Sequence, residues 1–148
     1  MRDLTNIHGT AIVVGETGLL FLGPSGVGKS SLAFACLASA KQLGLFAALV
    51  ADDRVLLSKN QGTIIAECPP TIAGLIEIRG TGILRIPNVS SAEIHFAVLP
   101  GDPATAERLP PDGEQVEVAG MAPLPVVRLS TTSINPLAVI MAKQPSYF

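Results

Sequence analysis

A chain of 148 residues suits one domain, and 48% hydrophobic against 15% charged residues, with mean hydropathy +0.48, excludes a disordered tail, a polyelectrolyte, and collagen-like or coiled-coil sequence. Ten Lys and Arg against twelve Asp and Glu leave a formal charge of −2 without a basic run, so the electrostatic footprint of a nucleic-acid binder is missing. Apolar runs are broken by Gly, Pro or a charge well before the ~18–20 residues that a membrane-crossing helix needs, so neither nucleic acid nor membrane is an expected partner.

In chain order, Met1-Arg2-Asp3-Leu4-Thr5-Asn6 lacks the apolar stretch of a secretory signal, which predicts a cytoplasmic protein with Cys36 and Cys68 as reduced thiols. Ala11-Ile12-Val13-Val14 and Gly18-Leu19-Leu20-Phe21-Leu22 are short, partly β-branched runs separated by Gly15-Glu16-Thr17, the pattern of a hairpin. Residues 29–43, mostly Ser, Leu, Ala and Phe without Pro or internal Gly, predict a helix that stops at Gly44. A buried strand is expected over 46–51, ending at Asp52-Asp53-Arg54, and a second hairpin over 55–58 and 62–66. Beyond Pro69-Pro70, strand composition appears at 75–79, resumes at 83–86 after Gly80-Thr81-Gly82, and appears again as one strand over 92–99. Residues 100–113, rich in Pro and charge, predict a mobile loop; a short strand at 126–129 and a helix opened by Pro136 close the chain. Many strands and few helices predict an α/β fold with a mixed β-sheet.

Gly23-Pro24-Ser25-Gly26-Val27-Gly28-Lys29-Ser30 satisfies G-x-x-x-x-G-K-[ST], and it joins a strand-like run to a helix-like run as a P-loop requires. Its glycines allow backbone N–H groups to turn inward around phosphate, with the positive end of the following helix adding to the field. In that setting Lys29 meets the β- and γ-phosphates and Ser30 a Mg²⁺ ion, so ATP and Mg²⁺ are the expected cofactors. The paired acids Asp52-Asp53 stand at the strand end where a P-loop fold needs a metal-facing carboxylate; a solvated turn with Arg54 as counter-charge is the plainer reading. Glu77 and Arg79, two apart, share one face of a strand. They form either a structural ion pair or a metal-facing carboxylate beside a phosphate-binding guanidinium. Alone, His8 reads as a surface residue, and His95, between Ile94 and Phe96, carries no more weight.

Taken together, His8-Gly9, the loop over 23–30, Val50-Ala51-Asp52-Asp53-Arg54 and Leu75-Ile76-Glu77-Ile78-Arg79-Gly80-Thr81-Gly82-Ile83 resemble the C-terminal kinase domain of bacterial HPr kinase/phosphorylase. The resemblance is strong over residue 5 to about 87, and it rests on the order and spacing of a P-loop, a V-A-D-D segment and an E-I-R-G-x-G signature. It implies a fold related to phosphoenolpyruvate carboxykinase, a serine kinase acting on an HPr-like phosphocarrier of the phosphotransferase system, and a homo-oligomer, commonly a hexamer. By position it implies Asp53 as proton acceptor, His8 as an active-site histidine, Lys29 as the phosphate lysine, and Ser30 and Glu77 facing the metal, to which the strand-end reading adds Asp52. Arg79 falls in the signature segment, and Arg108 aligns loosely with a further active-site arginine.

Residues 1–148 are thus expected to be a single catalytic domain of this kind, starting at the kinase domain without the N-terminal domain that most relatives carry. Where the family has a basic loop tied to dephosphorylation, this chain reads Ser130-Thr131-Thr132-Ser133-Ile134-Asn135, which predicts a weak or absent phosphorylase reaction. The rival readings are a small-molecule kinase and a nucleotide-binding regulatory module without turnover.

Overall fold

In the computed structural model, which describes residues 3–148, the first apolar stretch belongs to a longer strand, β1 (Thr5–Val14). The chain turns at Gly15 (φ 64°) into β2 (Thr17–Phe21), and the two pair antiparallel from Val14↔Thr17 to Thr10↔Phe21, as the sequence predicts. Residues 9–14 and all of β2 are buried, which is why they read as continuous apolar runs rather than as an alternation. α1 (Lys29–Gln42) follows within a residue of its expected span, and Gly44 (φ 77°) supplies the left-handed stop after which the Leu45 N–H donates to the Ala40 carbonyl at 2.9 Å.

The strand expected to end at Asp52-Asp53-Arg54 does not end there. β3 (Ala47–Asn60) runs on for 14 residues, because β1 reaches back to Thr5 and offers a pairing partner past the two acids, from Val14↔Ala47 to Thr5↔Leu57. The strand is irregular near the acids instead: the register slips between Ala11 and Ile12, which leaves Val50 as the extra residue just before them, and Asp53 itself adopts φ 72°. A turn at Gln61-Gly62, both with positive φ, leads into β4 (Thr63–Glu67), completing the second predicted hairpin. After a short 3₁₀ turn at Pro70–Ile72, β5 (Leu75–Ile78) and β6 (Gly82–Arg85) form a separate two-stranded hairpin.

The single strand expected over 92–99 is two strands, β7 (Ser91–Ile94) and β8 (Phe96–Gly101), separated by His95 alone. They lie far apart in the sheet order, which runs β7-β4-β3-β1-β2-β8 and continues into β10 (Leu124–Ser130) and β9 (Gln115–Val116). One residue can join them only because the sheet curls until β7 meets the start of β2. At that seam the His95 N–H donates to the Gly18 carbonyl at 2.8 Å, and the Gly18 N–H donates to His95 Nδ1 at 2.9 Å. A Cβ on Gly18 would lie 1.9 Å from the Glu93 carbonyl oxygen, so glycine is the residue that lets the strands close. His95, with its Nε2 3.1 Å from Glu93, is part of this seam.

Side chains sort by the two-residue period of the strands. Ile12, Val14, Leu19, Phe21, Phe96 and Val98 face outward from the curl, under α1 and under α2 (Pro136–Lys143), which is capped by the Asn135 side chain as its opening proline suggests. Ala11, Val13, Leu20, Val50, Ala51, Val55, Leu57 and Ala97 fill the inside, where small residues fit the tighter curvature. Each fully buried Val, Leu, Ile or Phe side chain among them stabilises the fold by ~1.5–3 kcal/mol, and each alanine by less. Residues 102–114 form no helix or strand and are almost wholly exposed, in keeping with the expected loop.

Candidate functional site

Three pieces of backbone meet at one end of α1. β2 ends at Phe21 and releases the glycine loop, β1 and β3 bring Thr10 and Asp52 into register beside it, and the β5–β6 hairpin closes the third side. Gly23, Gly26 and Gly28 all take positive φ (144°, 84° and 109°). Gly28 caps α1 without a side-chain hydrogen bond, and the first turn carries no acid, so the helix's leading amides stay open for an anion. The resulting cavity, about 310 Å³, is lined by His8, Thr10, Ser25, Gly26, Gly28, Lys29 and Ser30, together with Ser31, Asp52, Asp53, Glu77 and Arg79.

Asp52 is the fixed centre of this site. It is buried, and its Oδ1 accepts from Thr10 Oγ1 at 2.9 Å and from Ser30 Oγ at 2.7 Å, while its Oδ2 accepts from the Glu77 backbone N–H at 3.0 Å. One carboxylate thereby ties the first strand, the helix start and the β5–β6 hairpin together. Consecutive residues of a regular strand face opposite sides, yet Asp53 lines the same cavity; its left-handed backbone turns the second acid back toward the first. There Asp53 Oδ1 lies 3.1 Å from His8 Nδ1, and His8 Nε2 lies 3.1 Å from Ser25 Oγ.

Lys29 is buried, and its Nζ donates to the Gly23 and Pro24 carbonyls at 2.7 and 3.0 Å, holding the loop in its curved shape. Burial pulls its pKa below the ordinary lysine value, and the neighbouring carboxylates of Asp52 and Asp53 pull it partly back. Val27 faces away from the cavity, packed over Gly23. Glu77 and Arg79 project from one face of β5 and its end, above buried Ile76, and no ion pair joins them among the described residues. The Arg79 guanidinium instead sits beside Gly26, 3.7–3.9 Å from where a Cβ would be.

Of the predicted site residues, Gly23, Pro24 and Val27 belong to the loop without lining the cavity, and Arg108 lies away from the site altogether. It is exposed on the 102–114 loop and lines a second cavity of about 600 Å³ with Glu107, Glu114 and Arg128. Arg128 is held there by Glu114 through two hydrogen bonds, one from Nε at 3.0 Å, which keep the Glu114 carboxyl below its usual range. Sequence reasoning passes over two lining residues, Ser31 and the buried Thr10. The only signal of Thr10 is a hydroxyl at the head of an apolar run, on the same strand face as Ile12 and Val14.

A glycine loop between a strand and a helix, backed by two carboxylates on an adjoining strand of a curled mixed sheet, defines an α/β domain with its candidate site at the start of α1. The chain belongs to the HPr serine kinase C-terminal domain family, whose model matches residues 1–95. It is 36% identical over 88 residues to the HPr kinase/phosphorylase of Lactobacillus acidophilus, covering 59% of this chain and 26% of that protein. It is 30% identical to that of Lacticaseibacillus casei over 95% of this chain and 46% of that protein. The chain thus spans about half or less of the curated relatives it matches. A solved structure of the Hpr(Ser) kinase/phosphatase from Coxiella burnetii superposes with a TM-score of 0.76 over 97% of this chain and 95% of that one, at 24% identity, and so shares the fold.

Proposed function

We propose that this domain is a Mg²⁺- and ATP-dependent protein-serine kinase that phosphorylates an HPr-like phosphocarrier. The observation that carries the reading is the convergence of Asp53, Lys29 and the Asp52–Ser30 pair in one cavity at the start of α1. Phosphoryl transfer asks little covalent chemistry of the protein and much positioning and charge stabilisation. In this reading the loop amides and Lys29 hold the β- and γ-phosphates, Arg79 faces the transferring group, and Asp53 accepts the proton of the substrate serine.

The donor set suits magnesium. Among the described residues no group of three or more His, Cys, Asp or Glu forms a ready metal cage. Mg²⁺ in nucleotide sites takes only one or two protein oxygens and completes its shell with phosphate and water. Ser30 and Asp52, 2.7 Å apart, with Glu77 across the cavity, are such oxygens. Bound there with the nucleotide, the ion would neutralise charge on the β- and γ-oxygens.

The forward direction is favoured in this reading. Phosphorolysis sets phosphate beside phosphoserine, each carrying about −1.5 to −2 charges, and needs local cations to offset the repulsion. Arg128 is engaged by Glu114, Ser130 bonds Thr132, and Asn135 caps α2, so residues 128–135 add no free cation. We further propose a homo-oligomeric assembly and a cytoplasmic location; no helix among the described residues is long and apolar enough to cross a membrane.

The test is to mix the protein with labelled ATP, Mg²⁺ and purified phosphocarrier proteins and to map the labelled residue. Label on a carrier serine supports the kinase. Label on small molecules alone, or bound ATP without turnover, would replace it with one of the two rival readings. Adding phosphate to the isolated phosphoserine carrier and following pyrophosphate then measures the reverse rate, which should be far below the forward one.

A further inference from the structure

Ser25, His8 and Asp53 stand in a row: hydroxyl, imidazole, carboxylate, with successive contacts of 3.1 and 3.1 Å. A carboxylate only accepts, so His8 Nδ1 carries the proton that faces Asp53, and in the neutral imidazole Nε2 then turns its lone pair toward the Ser25 hydroxyl. This is the arrangement that activates a serine nucleophile: base within hydrogen-bond reach, and base oriented by a third group. Ser25 is also the third residue of the phosphate loop and lines the same 310 Å³ cavity as Lys29, so a γ-phosphate held by that lysine lies within the loop that carries the hydroxyl.

We infer that Ser25 is itself a phosphoryl acceptor, and that with a nucleoside triphosphate bound and no protein substrate present the domain phosphorylates its own loop. The inference rests on the nucleotide reading above and adds a second acceptor to it. In the step, Ser25 Oγ forms a bond to the γ-phosphorus as the bond from that phosphorus to the β,γ-bridging oxygen breaks. The electron pair leaves with the nucleoside diphosphate, and the hydroxyl proton passes to His8 Nε2. Asp53 acts here as a positioning residue, holding the imidazole through Oδ1 and stabilising the imidazolium that forms. Three features of the sequence serve this geometry. His8 lies on the extension of β1 beyond its apolar core, the left-handed φ of Asp53 turns its carboxylate toward that strand, and Gly9 between His8 and Thr10 lets β1 pass within 3.0 Å, measured from an added Cβ, of the Phe21 carbonyl at the end of β2.

The experiment incubates the full chain with ATP and Mg²⁺ without any acceptor, quenches in acid, and reads the intact mass and the fragment spectrum of the peptide holding Ser25. Nucleotide binding is followed by calorimetry in parallel. The expected result is the mass of one phosphate group on Ser25, abolished in Ser25→Ala, with the labelling rate lowered at least about 10²-fold in His8→Gln, the usual loss for a missing general base. Both variants are to be checked for retained nucleotide affinity, so that loss of label is not loss of the loop. If ATP binds and Ser25 stays unmodified, or if Ser25→Ala is labelled as fully as the parent, the relay is wrong while the nucleotide site stands. If ATP does not bind, the phosphate-loop reading fails and the relay with it.

Discussion

Replacing Thr10 by Val tests whether the carboxylate at the centre of the site is held by the first strand. The side chain is fully buried, and valine keeps its shape while removing the hydroxyl that donates to Asp52 Oδ1 at 2.9 Å. Hydrogen bonds to charged groups stabilise by about 1.5–3 kcal/mol. Asp52 keeps two other donors, Ser30 Oγ and the Glu77 N–H, so the lower part of that range applies, about 2 kcal/mol. For a domain of this size that corresponds to a melting temperature lower by on the order of 4–8 °C. Thr10→Ser is the control: it keeps the donor and removes one buried methyl, at a cost of about 1 kcal/mol. Circular dichroism melts of the two variants beside the parent give the comparison. Thr10→Val should melt below Thr10→Ser, and it should also bind Mg-nucleotide more weakly because the same oxygen orients Ser30. A Thr10→Val protein that melts level with the parent, or above Thr10→Ser, would refute the idea that this hydroxyl anchors Asp52.

Lys29→Ala should lower phosphoryl transfer by at least about 10²-fold, as expected for a lost charge-stabilising donor, while leaving the far-ultraviolet spectrum unchanged; retained activity would remove the P-loop assignment. Asp53→Asn should keep nucleotide affinity within a few-fold and lower turnover by about 10²–10⁴-fold, and a much larger loss in Asp52→Asn would show the two roles to be reversed. Glu77→Gln should raise the magnesium concentration needed for half-maximal rate, and a titration that does not move would leave Glu77 outside the metal's reach. Burial pushes the Cys36 thiol from 9.0 up to about 12. Below pH 9 it is protonated folded and unfolded alike, but above that only the unfolded chain ionises, so stability falls with rising pH by up to about 1.4 kcal/mol per unit. Cys36→Ala should flatten that alkaline slope in denaturant titrations, and an unchanged slope would assign it to other groups.

The glycine loop, its helix and several residues that line the cavity were legible through local signals: a fixed spacing for 23–30, paired acids at 52 and 53, and a two-residue offset between Glu77 and Arg79; His8 carries no such signal and was reached only through the family resemblance. What the sequence hid was long-range. The continuation of β3 past its acids depends on β1 offering a partner as far as Thr5, a pairing that no window around Asp52 contains. The break at His95 is equally invisible, since Ile94-His95-Phe96 alternates as an unbroken strand would and only the curl of the sheet divides it. Thr10 escaped for the same reason. Its partner, 42 residues away, exists only once the strands are in register.

The seam at His95 bears on how the chain folds as it is made. β2 finds its outer neighbour, β8, only across a separation of 77 residues, and the whole six-strand curl stays open at that edge until the later strand arrives. Pairings this distant form slowly, and an unpaired apolar edge is a template for another chain. Residues 17–21, all buried once folded, therefore stand uncovered on a ribosome-bound chain until residues 96–101 have left the exit tunnel. A translational pause that falls while residues 96–101 are still inside the tunnel should then send more of the product into aggregates than the same pause placed late enough for them to have emerged.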